Sequence, residues 1–143
     1  MARKRYPDTQ FDGEYPWIVN DSEVLTYLQT NQIDSKHVNF LKKISGYTDD
    51  ILSGWLDVSV KTLRSYKTTE IQLKDTIKER VLLLISLMNH GIAVFGTNTK
   101  FDQWLNTGNY FFDGKAPASF LNTITGIRFV NDRITAMEYG DNV

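Results

Sequence analysis

Residues 104–130 read WLNTGNYFFDGKAPASFLNTITGIRFV, and the reading of this stretch decides the fold. Apolar residues crowd it: Trp104, Leu105, Tyr110, Phe111, Phe112, Phe120, Leu121, Ile124, Ile127, Phe129 and Val130. Turn formers separate them, as Asn106-Thr107-Gly108-Asn109, Asp113-Gly114-Lys115 and Thr125-Gly126. The pattern predicts short elements folded onto a small packed core, with Trp104 buried in it. Gly108, Gly114 and Gly126 fit places that need positive φ or close approach. Pro117 fits the first position of a short helix, where the N–H it lacks would have no partner.

Outward from this stretch, residues 70–96 form a long apolar element. Ile71, Ile77, Val81, Leu84, Met88, Ile92 and Phe95 recur at three- and four-residue steps, and Leu83, Leu87 and Val94 supply a second face. A helix apolar on two sides must be covered on two sides. One side takes the chain's own helices. The other takes the next domain or a second copy of the chain, with Leu84 and Met88 at the seam of a homodimer; burial inside a monomer is the alternative. Gly96-Thr97-Asn98 stops this helix. Short helices follow at about 99–106 and 117–122, then a last one from about Ile127 to Tyr139 with Gly140 at its C′ position. No strand of normal length is legible.

Before the long element lies YTDDILSGWLDVSVKTLRSYKTTE, residues 47–70. Thr48 caps a short helix whose inner face is Ile51, Leu52, Trp55 and Leu56. Asp57-Val58 is a turn, and Ser59 caps a second helix in which Val60 and Leu63 face in. This is the layout of a helix-turn-helix. The second helix presents Lys61, Thr62, Arg64, Ser65 and Lys67 outward, and residues 59–67 hold three basic residues and no acidic one. Such a helix can enter a major groove, with base contacts near its start and phosphates held by its cations. The alternative is an ordinary surface helix. Two helices precede it, one from Asp21 or Ser22 to about Asn31 and one capped by Ser35 to about Ile44, ended by Gly46. Residues 1–20 read as an arm, with Arg3-Lys4-Arg5 either minor-groove contacts or a solvated terminus. Tyr15, Trp17, Ile18 and Val19 are apolar enough to dock.

The 104–130 stretch also resembles the C-terminal domain of the Xre/MbcA/ParS antitoxins, partners of RES-domain toxins. Trp104, Leu105, Asn109, Gly114, Pro117, Leu121, Thr123, Gly126 and Val130 fall at that family's spacings with no gap. Gly108 stands where the family often has Pro, and Phe112 where it often has Leu; neither changes the register. The segment Val58, Ser59, Thr62, Leu63 is similar to the family's own Val-Ser-x-x-Thr-Leu, and Glu79-Arg80 also matches. The resemblance, over residues 45–140, implies an antitoxin that blocks an NAD-degrading RES-domain toxin and represses its own operon. It implies toxin contact through Trp104, Asn109, Gly114, Pro117, Arg133, Tyr139, Gly140, Asp141 and Val143. The acidic tip, Asp141 with the Val143 carboxylate, is expected to enter a cationic cleft, so that deleting 140–143 weakens neutralisation; a frayed tail without contact is the alternative. The other reading is a stand-alone regulator whose C-terminal part binds something else.

Composition sets the bounds. The chain has 143 residues, a formal net charge of −1 and no cysteine. That fits a cytoplasmic protein without a disulfide framework or a thiolate zinc site. No apolar run approaches the ~20 residues that span a membrane, and the N-terminus lacks the apolar core of a signal peptide. His37 reads as a surface residue and His90 as a helix residue near a bend, neither at metal-ligand spacing; no cofactor or catalytic residue is expected. Asp49-Asp50 fits the macrodipole of a helix start. The expectation is an all-α, non-enzymatic protein: an arm at 1–20, a helix-turn-helix unit at 21–69, a central helix at 70–96 and a toxin-binding unit at 97–143. In a gel shift on its upstream region, Arg64→Ala should weaken binding and lower the salt slope by about one unit. Unchanged affinity across salt would remove this helix as the reader.

Overall fold

The computed structural model describes residues 21–68 and 72–140, and every regular element among them is helical. In chain order these are α1 (Asp21–Thr30), α2 (Ser35–Ser45), α3 (Asp49–Leu56), α4 (Val60–Lys67), α5 (Asp75–Phe95), α6 (Asn98–Leu105) and α7 (Ile124–Glu138). Two short 3-10 helices, Tyr110–Phe112 and Pro117–Phe120, lie between α6 and α7. The expected arm at 1–20, Ile71 of the long element, and Asp141 and Val143 of the tip fall outside the described residues.

Side-chain caps set most helix starts. Thr48 accepts from the Ile51 amide at 3.3 Å and Ser59 from that of Thr62 at 3.0 Å, as the sequence predicts. Thr97 and Thr123 do the same for α6 and α7, at 3.1 and 2.9 Å. Two expectations need correction here. The cap of α2 is Asp34, not Ser35: its carboxylate accepts from the Lys36 amide at 3.0 Å, and the His37 ring returns to the Asp34 amide. His37 is thereby held inward and buried rather than at the surface. Because Thr123 is the cap, α7 begins at Ile124, three residues before the expected Ile127.

Helix α5, about 30 Å long at 1.5 Å per residue, is the spine. It packs against α1, α2 and α3 from the first half of the chain and against α6 and α7 from the second. Every residue from Val81 to Ile92 is buried. Both apolar faces are therefore covered within one chain. Leu84 is 0 % exposed and Met88 2 %, so neither is available as a dimer seam, and a homodimer would have to use another surface. The buried apolar residues form a single cluster drawing on α1 through α7, so the two halves share one core. No single helix among the described residues is long and apolar enough to cross a membrane.

Glycine fits the 104–130 loop for two different reasons. Gly114 has φ +79°, a left-handed conformation that a side chain strains. Gly126 lies instead in the first turn of α7, where a Cβ would run into the Phe120 carbonyl; close approach demands it, not backbone φ. The same test separates two helix-interior glycines. Nothing lies within 4 Å of a Cβ on exposed Gly54, whereas one on Gly91 would strike the fully buried ring of Phe101. Gly54→Ala should therefore stabilise the fold by about 0.5–1 kcal/mol through helix propensity. Gly91→Ala should cost about 1–3 kcal/mol through overpacking. Denaturant melts of the two variants check the opposite signs.

Candidate functional site

Two surfaces carry chemistry. The first is the outward face of α4. The Ser59 cap and the left-handed Asp57 (φ 58°) set the turn from α3, while Leu63 and Tyr66 anchor the helix inward. Ile51, expected on the inner face of α3, is 42 % exposed, because Leu52, Trp55 and Leu56 already fill that face. Of the expected contact residues, Lys61 and Arg64 are exposed and Thr62 and Ser65 half-buried. Thr62 Oγ1 receives a hydrogen bond from Ser59 Oγ at 2.9 Å, and Ser65 Oγ donates to the Lys61 carbonyl at 3.2 Å.

Lys67 is placed differently. Its Nζ donates to both carboxylate oxygens of Asp49, at 2.9 and 3.0 Å. Lys42 Nζ lies 3.1 Å from the same carboxylate and Arg64 Nε 3.4 Å. Asp49 therefore does more than serve the α3 macrodipole; it gathers cations from α2 and α4. Hydrogen bonds from Lys67 and then Lys42 hold its carboxyl down, from 3.8 to about 2, against the smaller upward push of desolvation.

The second surface is built by an aromatic ladder. Phe95 at the end of α5 stacks on Phe101 and Trp104 of α6, with ring centroids 5.6 and 5.3 Å away. Trp104 meets Phe112 edge-on at 5.9 Å, and Phe112 meets Phe120 and Phe129 at 5.4 and 5.3 Å. The ladder surfaces at its far end. Phe129 is 48 % exposed, Phe111 40 % and Tyr110 89 %. Arg133 of α7 lies over the Phe111 ring, 3.5 Å from its centroid, a cation–π contact that fixes both groups.

The remaining expected contact residues divide by role. Trp104 is half-buried, not enclosed, and its Nε1 has no hydrogen-bond partner. Asn109 Oδ1 accepts from the Phe111 amide at 3.0 Å, and its backbone carbonyl accepts from Gly114 at 2.9 Å. Asn109, Gly114 and buried Pro117 thus shape the loop that presents the aromatic pair. Arg133 and Tyr139 reach the surface, Tyr139 at 44 % exposure, and Gly140 turns the chain at φ +90°. The sequence places Tyr110, Phe111 and Phe129 among the apolar residues of the core-forming stretch, but their rings reach the surface. A 3-10 helix points three consecutive side chains in three directions, so only Phe112 of the Tyr-Phe-Phe run can face inward.

His90, read as a helix residue near a bend, is buried between helices. Its Nε2 lies 2.8 Å from Glu138 Oε1 and its Nδ1 2.9 Å from Asn131 Oδ1, so the pair pins α7 to α5. No group of three or more His, Cys, Asp or Glu among the described residues is arranged to hold a metal.

The Asp49 cluster has a pH signature. A carboxyl held below its unfolded value contributes stability that is present above about pH 4 and lost as pH falls through the folded pKa. A carboxyl-carbon NMR titration should give Asp49 a midpoint near 2. A midpoint near 4 would mean that the ion cluster does not form in solution.

Residues 90–140 match the model of the antitoxin Xre/MbcA/ParS C-terminal toxin-binding domain. The matched span runs from the end of α5 through α7 and contains the whole exposed aromatic patch. No curated protein matches the chain. The match agrees with the family spacings of Trp104, Asn109, Gly114, Pro117 and Gly126, and over residues 90–140 the chain is similar to the toxin-binding domain of the Xre/MbcA/ParS antitoxins.

Proposed function

We propose that the chain silences a RES-domain, NAD-degrading toxin through the patch of Tyr110, Phe111, Phe129 and Arg133, and represses its own operon through the α4 face. One observation carries the first half. The toxin-binding domain exposes aromatic rings that its own core does not cover, and Tyr110, meeting the edge of Phe111, is still 89 % exposed. Exposed aromatics beside an arginine are the residue types that dominate binding energy at protein interfaces. The basic outward face of α4, behind a capped turn, supports the second half. A unit at 21–68 for DNA and one beyond residue 96 for the toxin then sit on one spine.

The test is co-expression with a RES-domain toxin, followed by affinity and NAD-consumption measurements. Tyr110→Ala combined with Phe129→Ala should weaken toxin binding at least about 30-fold, the scale of an aromatic hot spot. Tyr110→Ala alone should leave stability within about 0.5 kcal/mol, as exposed positions do. If the double variant stays folded and silences the toxin as fully as the parent chain, this patch is not the contact.

A further inference from the structure

We propose that Asp49 is a built-in competitor for DNA phosphate, occupying a three-cation site on the α4 side of the molecule and withholding Lys67 from nucleic acid. This rests on the DNA-binding reading of α4 and sharpens it. Lys42 comes from the last turn of α2, Arg64 and Lys67 from the last turn of α4, and all three converge on one carboxylate at the start of α3. Charge-assisted donors around two oxygens would hold a phosphate in the same way. The carboxylate, tethered to the same fold, offers two acceptor oxygens at an effective concentration that a free anion does not reach.

The side chains divide accordingly. Arg64 keeps 67 % of its side-chain surface open, while Lys67 keeps 20 % and puts its ammonium on both Asp49 oxygens. A duplex gains affinity only from cations it newly neutralises, since each such cation releases condensed counterions. Lys67, already neutralised, adds little, and phosphate contact falls to Arg64 and Lys61. Sequence-independent affinity stays low, and base contacts near the start of α4 decide a larger share of binding. A purely mechanical Asp49, clamping α4 to α2, predicts the opposite sign, because its loss would loosen the reader and weaken binding.

The experiment measures affinity against salt on two duplexes, the region upstream of the gene and a scrambled sequence of equal length. Asp50→Asn, exposed and outside the cluster, is the control for net charge. Asp49→Asn should steepen the salt slope by about 1–2 units beyond Asp50→Asn, one for each cation freed. It should also tighten binding to both duplexes and shrink the ratio between them. Lys67→Ala should leave the slope unchanged in the parent chain and lower it by about one unit in the Asp49→Asn background. An Asp49→Asn slope no steeper than that of Asp50→Asn overturns the proposal. So does a one-unit loss from Lys67→Ala alone, a result that stands even if Asp49→Asn does not fold. If the parent chain binds neither duplex at low salt, the DNA reading itself falls, and this inference with it.

Discussion

The structure depends on the burial of one helix from all sides. A helix whose residues Val81 to Ile92 are all shielded from water has no solvated face, so every neighbour must supply cover. Helices α1–α3 and α6–α7 are that cover, and neither set could bury its own apolar face without the spine. This explains why the buried apolar residues before and after the spine form one hydrophobic cluster. Gly91 lets the ring of Phe101 sit against the spine, which brings α6 in close.

Polar links then fix how the halves meet. Arg80 on α5 donates from Nη1 to the Asn122 carbonyl at 2.6 Å and to the Trp55 carbonyl at 3.4 Å, joining the end of α3 to the loop before α7. The Tyr47 hydroxyl donates to Asp102 and accepts from Asn106 at 3.2 Å; burial, then the Asp102 bond, pushes its pKa upward. Asn98 donates to the Ile44 carbonyl at 2.8 Å. The Tyr47 and Asn98 bonds run directly between the segment before α5 and the segment after it, and Arg80 ties both to α5. A partner pressing on the aromatic patch therefore acts on a body continuous with α4, not on a domain hung from a linker.

Much of this was legible in the residues. The caps Thr48 and Ser59, the stops Gly46 and Gly96 and the positive φ of Gly114 follow from local chemistry, which a sequence states directly. The spaced set from Trp104 to Val130 lies within the span that matches the antitoxin toxin-binding domain, and its Gly114 and Pro117 sit at the turns of that loop. What failed depended on cover. A helix apolar on two faces looks the same whether its second face meets a partner or its own chain, so the sequence offers Leu84 and Met88 as a seam although the chain's own helices cover them. Tyr110, Phe111 and Phe129 show the opposite limit, since apolarity alone does not say which rings the core has room for. The Asp49 cluster joins residues 42, 49, 64 and 67 across three helices, and no local pattern announces it.

The proposed toxin contact is the surfaced end of the aromatic ladder, on a body whose α4 face stays open. Hydrogen exchange measured by mass spectrometry, on the chain alone and in complex with its toxin, tests this most directly. Complex formation should bring new protection to peptides spanning 107–115 and 124–134 and none to 59–67. Protection confined to other segments, or covering 59–67 while 107–115 exchanges as in the free chain, would contradict it.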